Sequence, residues 1–316
     1  MMKRLWKNLF LMTAVLAAVF AWGNARPVVV QAGSEPVLVT DMMGRELTLE
    51  KPVSRIVALT AADCEILYAL GAGDLLVGRG EYCDYPPEVM DVPSVQSGAD
   101  TNIEQLIALE PEVLLMGTMA QSQEQIASLE DAGIKVLVSD AQDIEGVYTA
   151  VSMIGSLVGK EAEAEEIVSG MKASFEELET MTEKEETQTV YFEVSPLEYG
   201  LWAAGSGTFM NEIAQMIGLK NIFDDVEGWG SVSEEQVIER DPDYIVTISM
   251  YFGEGPTPVE EILSRQGWEN ITAIRNEKIL NLQNNELSRP TPRLVDGAKM
   301  LYDFVYEENE QAEDAA

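Results

Sequence analysis

Asn102-Ile103-Glu104-Gln105-Leu106-Ile107 runs through Glu110-Pro111-Glu112 into Val113-Leu114-Leu115. Later in the chain, Ser233-Glu234-Glu235-Gln236-Val237-Ile238 runs through Asp241-Pro242-Asp243 into Tyr244-Ile245-Val246. Both stretches read as a capped helix, a proline stop and a buried strand. Asn102 and Ser233 are good N-caps, and Gln105 and Gln236 stand three residues on, at the capping-box spacing. Each proline ends its short helix, and an apolar, β-rich run follows. The period is too long for a solenoid. It predicts two related α/β lobes, each with a glutamate, Glu104 or Glu235, in the first turn of a matching helix. One account of these glutamates is that acidic side chains oppose the positive end of a helix dipole. The other is that they form a two-point docking surface, one point per lobe. Spacing alone leaves both open.

Outward from the repeat, the rest of the chain fits an α/β pattern. Residues 37–49 read as a β-hairpin with Gly44 in the turn. Strands are predicted at 56–59, 75–78 and 135–138, with helices over 61–70 and 121–132. Strands alternating with helices make a parallel sheet. Over 143–183 the period changes to that of a long amphipathic helix, in which Gly155, Gly159 and Gly170 count against one unbroken run and the stretch near Gly159-Lys160 is a candidate interruption; this is the expected connector between lobes. The second lobe supplies strands at 189–194 and 279–282 and helices over 209–217 and 294–306. Gly205-Ser206-Gly207 lacks the lysine and full glycine spacing of a phosphate loop. The domain boundaries follow: leader 1–32, first lobe 33–142, connector 143–183, second lobe 184–306 and an irregular acidic tail 307–316.

The chain has 316 residues, enough for a sizeable core. Its net charge is −35, and the first 32 residues hold Lys3, Arg4, Lys7 and Arg26 but no acid. The remainder therefore carries all 55 acidic residues, a surface that repels nucleic acid and anionic lipid. Histidine is absent, which excludes Ser-His-Asp and Cys-His catalysis, His-ligated zinc and His-ligated haem. Carboxylate chemistry, ligation by Tyr or Cys, and plain binding all remain open. Lys3, Arg4 and Lys7 precede fourteen uncharged residues, 9–22, the pattern of a secretory signal, with small residues suited to cleavage after Ala25 or Ala32. The protein is thus expected to be exported. Cys64 and Cys83 then meet an oxidising compartment, and both a disulfide and two separate thiols are compatible with their placement just past successive strands.

Parallel sheets bind ligands at the carboxyl ends of their strands. The residues found there are Cys64, Tyr82, Tyr85, Trp202, Trp229, Tyr251, Phe252 and Arg289. This set is rich in aromatic faces for a large flat ligand, with an arginine to fix an oxygen, and poor in acid–base groups. Asp84 and Glu254 are the carboxylates that a glycosidase-like hydrolase would need to bring together.

The order and spacing of several stretches resemble the substrate-binding proteins of ABC importers for iron–siderophore complexes, haem and cobalamin. They are the 37–52 hairpin with Asp41 and Gly44-Arg45, Arg55-Ile56-Val57, Asp84-Tyr85-Pro86, and Asn102-Ile103-Glu104 through Pro111-Glu112. Gly205, Trp229 with Gln236, and Arg289-Pro290-Thr291-Pro292-Arg293 complete the series. The resemblance implies two Rossmann-like lobes joined by a long rigid helix, with a small-molecule ligand in a shallow cleft and no enzymatic chemistry. It implies a monomer at the periplasmic or outer face of the cytoplasmic membrane. Its partners would be permease subunits with their ATPase, and arginines of the permease would meet Glu104 and Glu235. The loop Tyr82-Cys83-Asp84-Tyr85-Pro86-Pro87 is most similar to the cobalamin-binding branch, with Tyr82, Trp202, Trp229 and Arg289 at ligand-contact positions. Ser97-Gly98-Ala99-Asp100 departs from that branch where a cleft tryptophan is expected, which keeps a ferric siderophore open as the ligand. Haem would require ligation by Tyr82 or Tyr85.

Overall fold

The computed structural model describes residues 36–98, 101–118, 123–182, 188–251, 253–282 and 286–313. The expected leader, Ala99, Asp100 and Phe252 lie outside them. The described chain opens with an antiparallel hairpin, β1 (Val37–Thr40) and β2 (Glu46–Leu49). Asp41 organises its turn: its carboxylate accepts from the backbone N–H of Met43 and Arg45 and pairs with the Arg45 guanidinium. The same carboxylate accepts from the Val138 N–H at 3.2 Å, which docks the hairpin on the first lobe.

The first lobe contains β3 (Ile56–Ala58), α1 (Ala61–Ala69), β4 (Leu76–Gly80), β5 (Ser94–Val95), α2 (Ile103–Ala108), β6 (Val113–Met116), α3 (Gln123–Asp131) and β7 (Lys135–Val138). Its strands form one parallel sheet in the order β5-β4-β3-β6-β7. Two helices follow, α4 (Ile144–Val158) and α5 (Glu161–Met181). The connector is thus broken in two, at the Gly159-Lys160 interruption. Gly159 is the left-handed C-cap of α4, φ 70°, and the Lys160 N–H closes the turn on the Gly155 carbonyl at 2.8 Å.

The second lobe contains β8 (Gln188–Ser195), β9 (Trp202–Ala204), α6 (Phe209–Met216), β10 (Leu219–Asn221), β11 (Trp229–Ser231), α7 (Glu234–Arg240), β12 (Tyr244–Thr247), α8 (Pro258–Leu263), α9 (Thr272–Arg275), β13 (Ile279–Asn281) and α10 (Leu294–Glu313). The strand order is β11-β9-β8-β12-β13, with β10 beside β8; β9 is antiparallel to both its neighbours. Helix α10 corrects the expectation of an irregular tail from residue 307, because it continues to Glu313. Gln, Ala and Glu are good helix formers, and extending a nucleated helix is far easier than starting one.

The repeat is present in three dimensions. Helices α2 and α7 are its two copies, each followed by a residue with positive φ before its proline: Glu110 at 48° and Asp241 at 42°. The residue before proline is excluded from the right-handed helical region, which ends each helix at the same step. The acid beyond each proline then holds its neighbouring strand in the same way. Glu112 accepts from the Ser54 N–H at 2.8 Å, and Asp243 accepts from the Thr189 N–H at 2.8 Å. Of the two copies, one forms a full capping box. In α7, Ser233 and Gln236 satisfy each other's backbone N–H. In α2, Asn102 caps the Gln105 N–H, but the Gln105 amide reaches Ser94 O, because the Asn102 N–H is already bonded to Gln96 O.

Each sheet has one face on a private core and the other on a shared one. Val57, Leu114 and Val136 face the private core of the first lobe; Tyr191, Ile245 and Trp268 face that of the second. The alternate residues Ile56, Val113 and Leu115, with Val190, Phe192 and Val246, join one continuous core built around α4, α5 and α10. The two lobes are therefore welded along their helical side.

Candidate functional site

The lobes meet at two further places. At the first, the segment after β7 meets the β11 edge of the second lobe. Gln142 O accepts from the Phe209 N–H at 2.9 Å, and Gln142 Oε1 accepts from Trp229 Nε1–H at 2.6 Å. Glu212 of α6 caps α4 by accepting from the Ile144 N–H at 2.8 Å, and burial pushes its carboxyl pKa up. The Trp229 ring packs on Phe209 with centroids 5.3 Å apart. Gly205 makes this possible: a Cβ there would lie 2.0 Å from Val226 O, so only glycine lets the strand-to-helix turn and the loop before Trp229 come together.

At the second place, the loop after β4 meets the loop between β13 and α10. Arg289 lies there, nearly buried, and donates to Glu65 Oε1 at 2.9 Å, Asp84 Oδ1 at 2.7 Å and Tyr82 O at 3.1 Å. Arg293 lies 3.8 Å from the centre of the Tyr85 ring, pairs with Glu286 and approaches Glu65 at 3.6 Å. Burial opposes the charge on Arg289, yet the two carboxylates raise its pKa overall; burial raises that of Glu65 against the pull of both arginines. The two partners of Arg289 differ in one respect. The Glu65 side chain is 2% exposed and that of Asp84 is 47% exposed.

Between these contacts run the carboxyl ends of the central strands. In the first lobe they carry Thr60, which caps α1, and Asp63, whose carboxylate accepts from the Thr60 hydroxyl at 2.5 Å. Thr118 donates to Asp140 beside them, and Gln142 also donates to Asp140, at 3.2 Å. In the second lobe, Trp202 opens β9 opposite Ser195 at the end of β8, and Tyr251 follows β12. Tyr82 (68% exposed), Tyr85, Trp202 and Tyr251 are all exposed, Tyr85 with Arg293 stacked against its ring. Exposed aromatic surface after the strands of both lobes suits contact with a large flat or apolar ligand. Cavities of about 280 and 370 Å³ lie elsewhere, against the hairpin and along α4 and α5, and none of these aromatics lines them.

Three readings from the sequence change at this level. Cys64 is not a cleft residue: it is fully buried on the inner face of α1. Cys83 is buried too, and the structure holds the pair as separate thiols, both directed at Ala58 O. Hydrogen bonding to Cys83, followed by burial, pushes the Cys64 thiol well above its ordinary range. Arg289 is not an unoccupied anchor, since it is already bound by two carboxylates of the opposite lobe. Asp84, the first carboxylate of the hydrolase reading, is spent on that ion pair, and Glu254 is exposed in the loop before α8.

Glu65, Gln142, Arg293 and Tyr199 were missed. Glu65 had a signal, a charge inside the apolar run Cys64–Leu67; Tyr199, 77% exposed, follows a strand like the other rim aromatics. Gln142 had none. Glu104 and Glu235 occupy the second helical position of α2 and α7, both exposed. Glu234 is taken by Trp268, whose Nε1–H donates to it at 2.9 Å, which leaves Glu235 as the outward acid of the second copy. Its own backbone N–H, followed by the Ser233 hydroxyl, holds its pKa below the usual value.

Fold and surface together define a two-lobed binding protein of the α/β type. The chain belongs to the periplasmic binding protein family, whose model matches residues 56–286. A Bacillus subtilis relative, the uncharacterized ABC transporter substrate-binding lipoprotein YvrC, is 34% identical over 277 residues, 86% of each chain. The vitamin B12-binding protein of Vibrio cholerae is 24% identical over 80% of this chain and 90% of its own. Among solved structures, a possible iron-binding, periplasmic solute-binding protein from Staphylococcus epidermidis superposes with a TM-score of 0.69. It is 34% identical, and the match covers 81% of this chain and all of that one. Among the described residues, no helix is long and apolar enough to cross a membrane.

Proposed function

We propose that this chain is the exported substrate-binding component of an ABC importer, and that it captures a corrinoid between its lobes for delivery to the permease. The observation that carries this reading is the set of exposed aromatics after strands of both lobes, Tyr82, Tyr85, Trp202 and Tyr251, together with a nearly buried arginine, Arg289, that bridges the lobes beside Tyr82. Covering each ring removes apolar surface worth about 1.5–3 kcal/mol when fully buried. That is ample for tight binding without chemistry, and a corrin has the area to cover several rings at once. The vitamin B12-binding relatives support this ligand. Glu104 and Glu235, one per lobe and outward-facing, are the surface offered to permease arginines, and the unit that docks is a monomer.

The second reading keeps the role and changes the cargo to a ferric siderophore, or to haem ligated by Tyr82 or Tyr85. The iron-binding description of the 34% identical solved structure favours it. Titrating the purified protein with cyanocobalamin, haemin and a ferric trihydroxamate, followed by absorbance and calorimetry, separates the two. The corrinoid reading expects saturable 1:1 binding of cyanocobalamin. Silence with cyanocobalamin and saturation with either iron complex overturns it in favour of the second.

A further inference from the structure

We propose that Asp84 is an internal stand-in for the ligand: it occupies Arg289 in the resting protein and is displaced when a ligand supplies its own acceptor oxygen. The role of Arg289 toward a ligand rests on the reading above; the latch itself rests on geometry. Arg289 comes from the second lobe, while Glu65 and Asp84 come from the first, so its guanidinium spans the gap. The two carboxylates are not equivalent. Glu65 stands in the middle of α1 with its side chain buried, and removing it would strand a charge in the interior. Asp84 stands on a loop with its side chain nearly half exposed, so water can receive its carboxylate at little cost. Exchange therefore falls on Asp84, and Glu65 keeps the guanidinium charged and aimed.

Position points the same way. Asp84 lies between Tyr82 and Tyr85, and Arg289 also bonds the Tyr82 carbonyl while Arg293 covers the Tyr85 ring. The loop that offers its aromatic faces to a ligand is thus held by the cations that such a ligand would need. Releasing Asp84 removes one of the ties between this loop and Arg289. A ligand must then bring an oxygen able to replace a carboxylate at a nearly buried arginine, such as a carboxylate, a phosphodiester or a strongly polarised carbonyl. An apolar molecule of the right shape cannot open the latch. A competing internal partner lowers apparent affinity by the fraction of molecules in the competent state.

The experiment uses the intact protein and its Asp84→Asn variant, with Glu65→Gln as a contrast. Hydrogen–deuterium exchange on the ligand-free proteins is expected to be faster in D84N at residues 79–85 and 286–293, and unchanged in α2 and α7. Affinity is then read by quenching of tryptophan fluorescence with whichever of cyanocobalamin, haemin or a ferric trihydroxamate binds the wild type. D84N is expected to bind about fivefold more tightly, the size set by a part-exposed ion pair. That gap is expected to shrink at high salt, and E65Q is expected to bind more weakly than wild type. Unchanged exchange in D84N, or affinity equal to or below wild type, overturns the latch. If the wild type binds none of the three probes, the proposed function fails instead, and the exchange data still decide the latch.

Discussion

Asp63 stands in the first turn of α1 with its carboxyl fully buried, and its position sets a pH dependence that can be signed in advance. Burial is the main influence and pushes its pKa up to about 6, against hydrogen bonds from Thr60 and Ser139 and with the help of the Asp140 charge. A carboxyl whose folded pKa exceeds its unfolded one binds an extra proton in the folded state between the two values. Its contribution to stability is therefore present below about pH 4 and is lost as the pH rises through 6. A shift of that size corresponds to about 3 kcal/mol for so buried a group. Asp63→Asn keeps the acceptor for Thr60 and has no charge to bury. Urea unfolding is expected to find it more stable than wild type by about 1–3 kcal/mol at pH 7.5, converging with wild type near pH 4. A difference independent of pH would mean that the Asp63 carboxyl is not the strained group.

The connector illustrates what an element shows and hides. Gly159 ends α4 in a left-handed turn, and a Cβ there would lie 2.9 Å from Pro52 Cγ; Gly170 lies within α5 with open space around it. The two glycines should therefore respond oppositely to alanine. Gly159→Ala is expected to lower the thermal midpoint through a loss of about 1–2 kcal/mol, and Gly170→Ala to raise it through a gain of about 0.5–1 kcal/mol. Equal effects would mean that the helix break is not held by Gly159. Sequence periodicity marked this break, and it marked α2, β6 and β7 closely, because caps, prolines and apolar runs are local signals. It missed β9, β10 and β11, which are three-residue strands with no period to detect. Helix α8 was missed although Thr257-Pro258-Val259-Glu260 spells a capping box, which the structure forms in full. The rim aromatics were legible because each follows or opens a strand. The engagement of Arg289 was not, since its partners lie 224 and 205 residues away and only the fold brings them together.

The shared core around α4, α5 and α10 limits how the whole molecule can move. With both sheets packed on one continuous apolar layer, wide separation of the lobes would expose core, so closure on a ligand must be a small adjustment at the two cleft contacts. Under the proposed docking role, a permease would meet a nearly constant outline, to which two fixed points on separate lobes are suited. Bulk charge cannot do this. A net charge of −35 attracts any cationic surface and is screened within about 8 Å at physiological ionic strength. Glu104 and Glu235 are different, because the repeat puts them at the same step of equivalent helices on opposite lobes. Reversing both charges (Glu104→Lys with Glu235→Lys) is expected to leave the dissociation constant for the bound ligand within about twofold of wild type. Uptake in a reconstituted importer is expected to fall by more than about tenfold, with single reversals intermediate. Preserved uptake in the double variant would return both glutamates to the helix dipole, which explains why an acid is tolerated at each position. It does not explain why the same residue stands at the same step in both lobes, and that coincidence is what the uptake measurement tests.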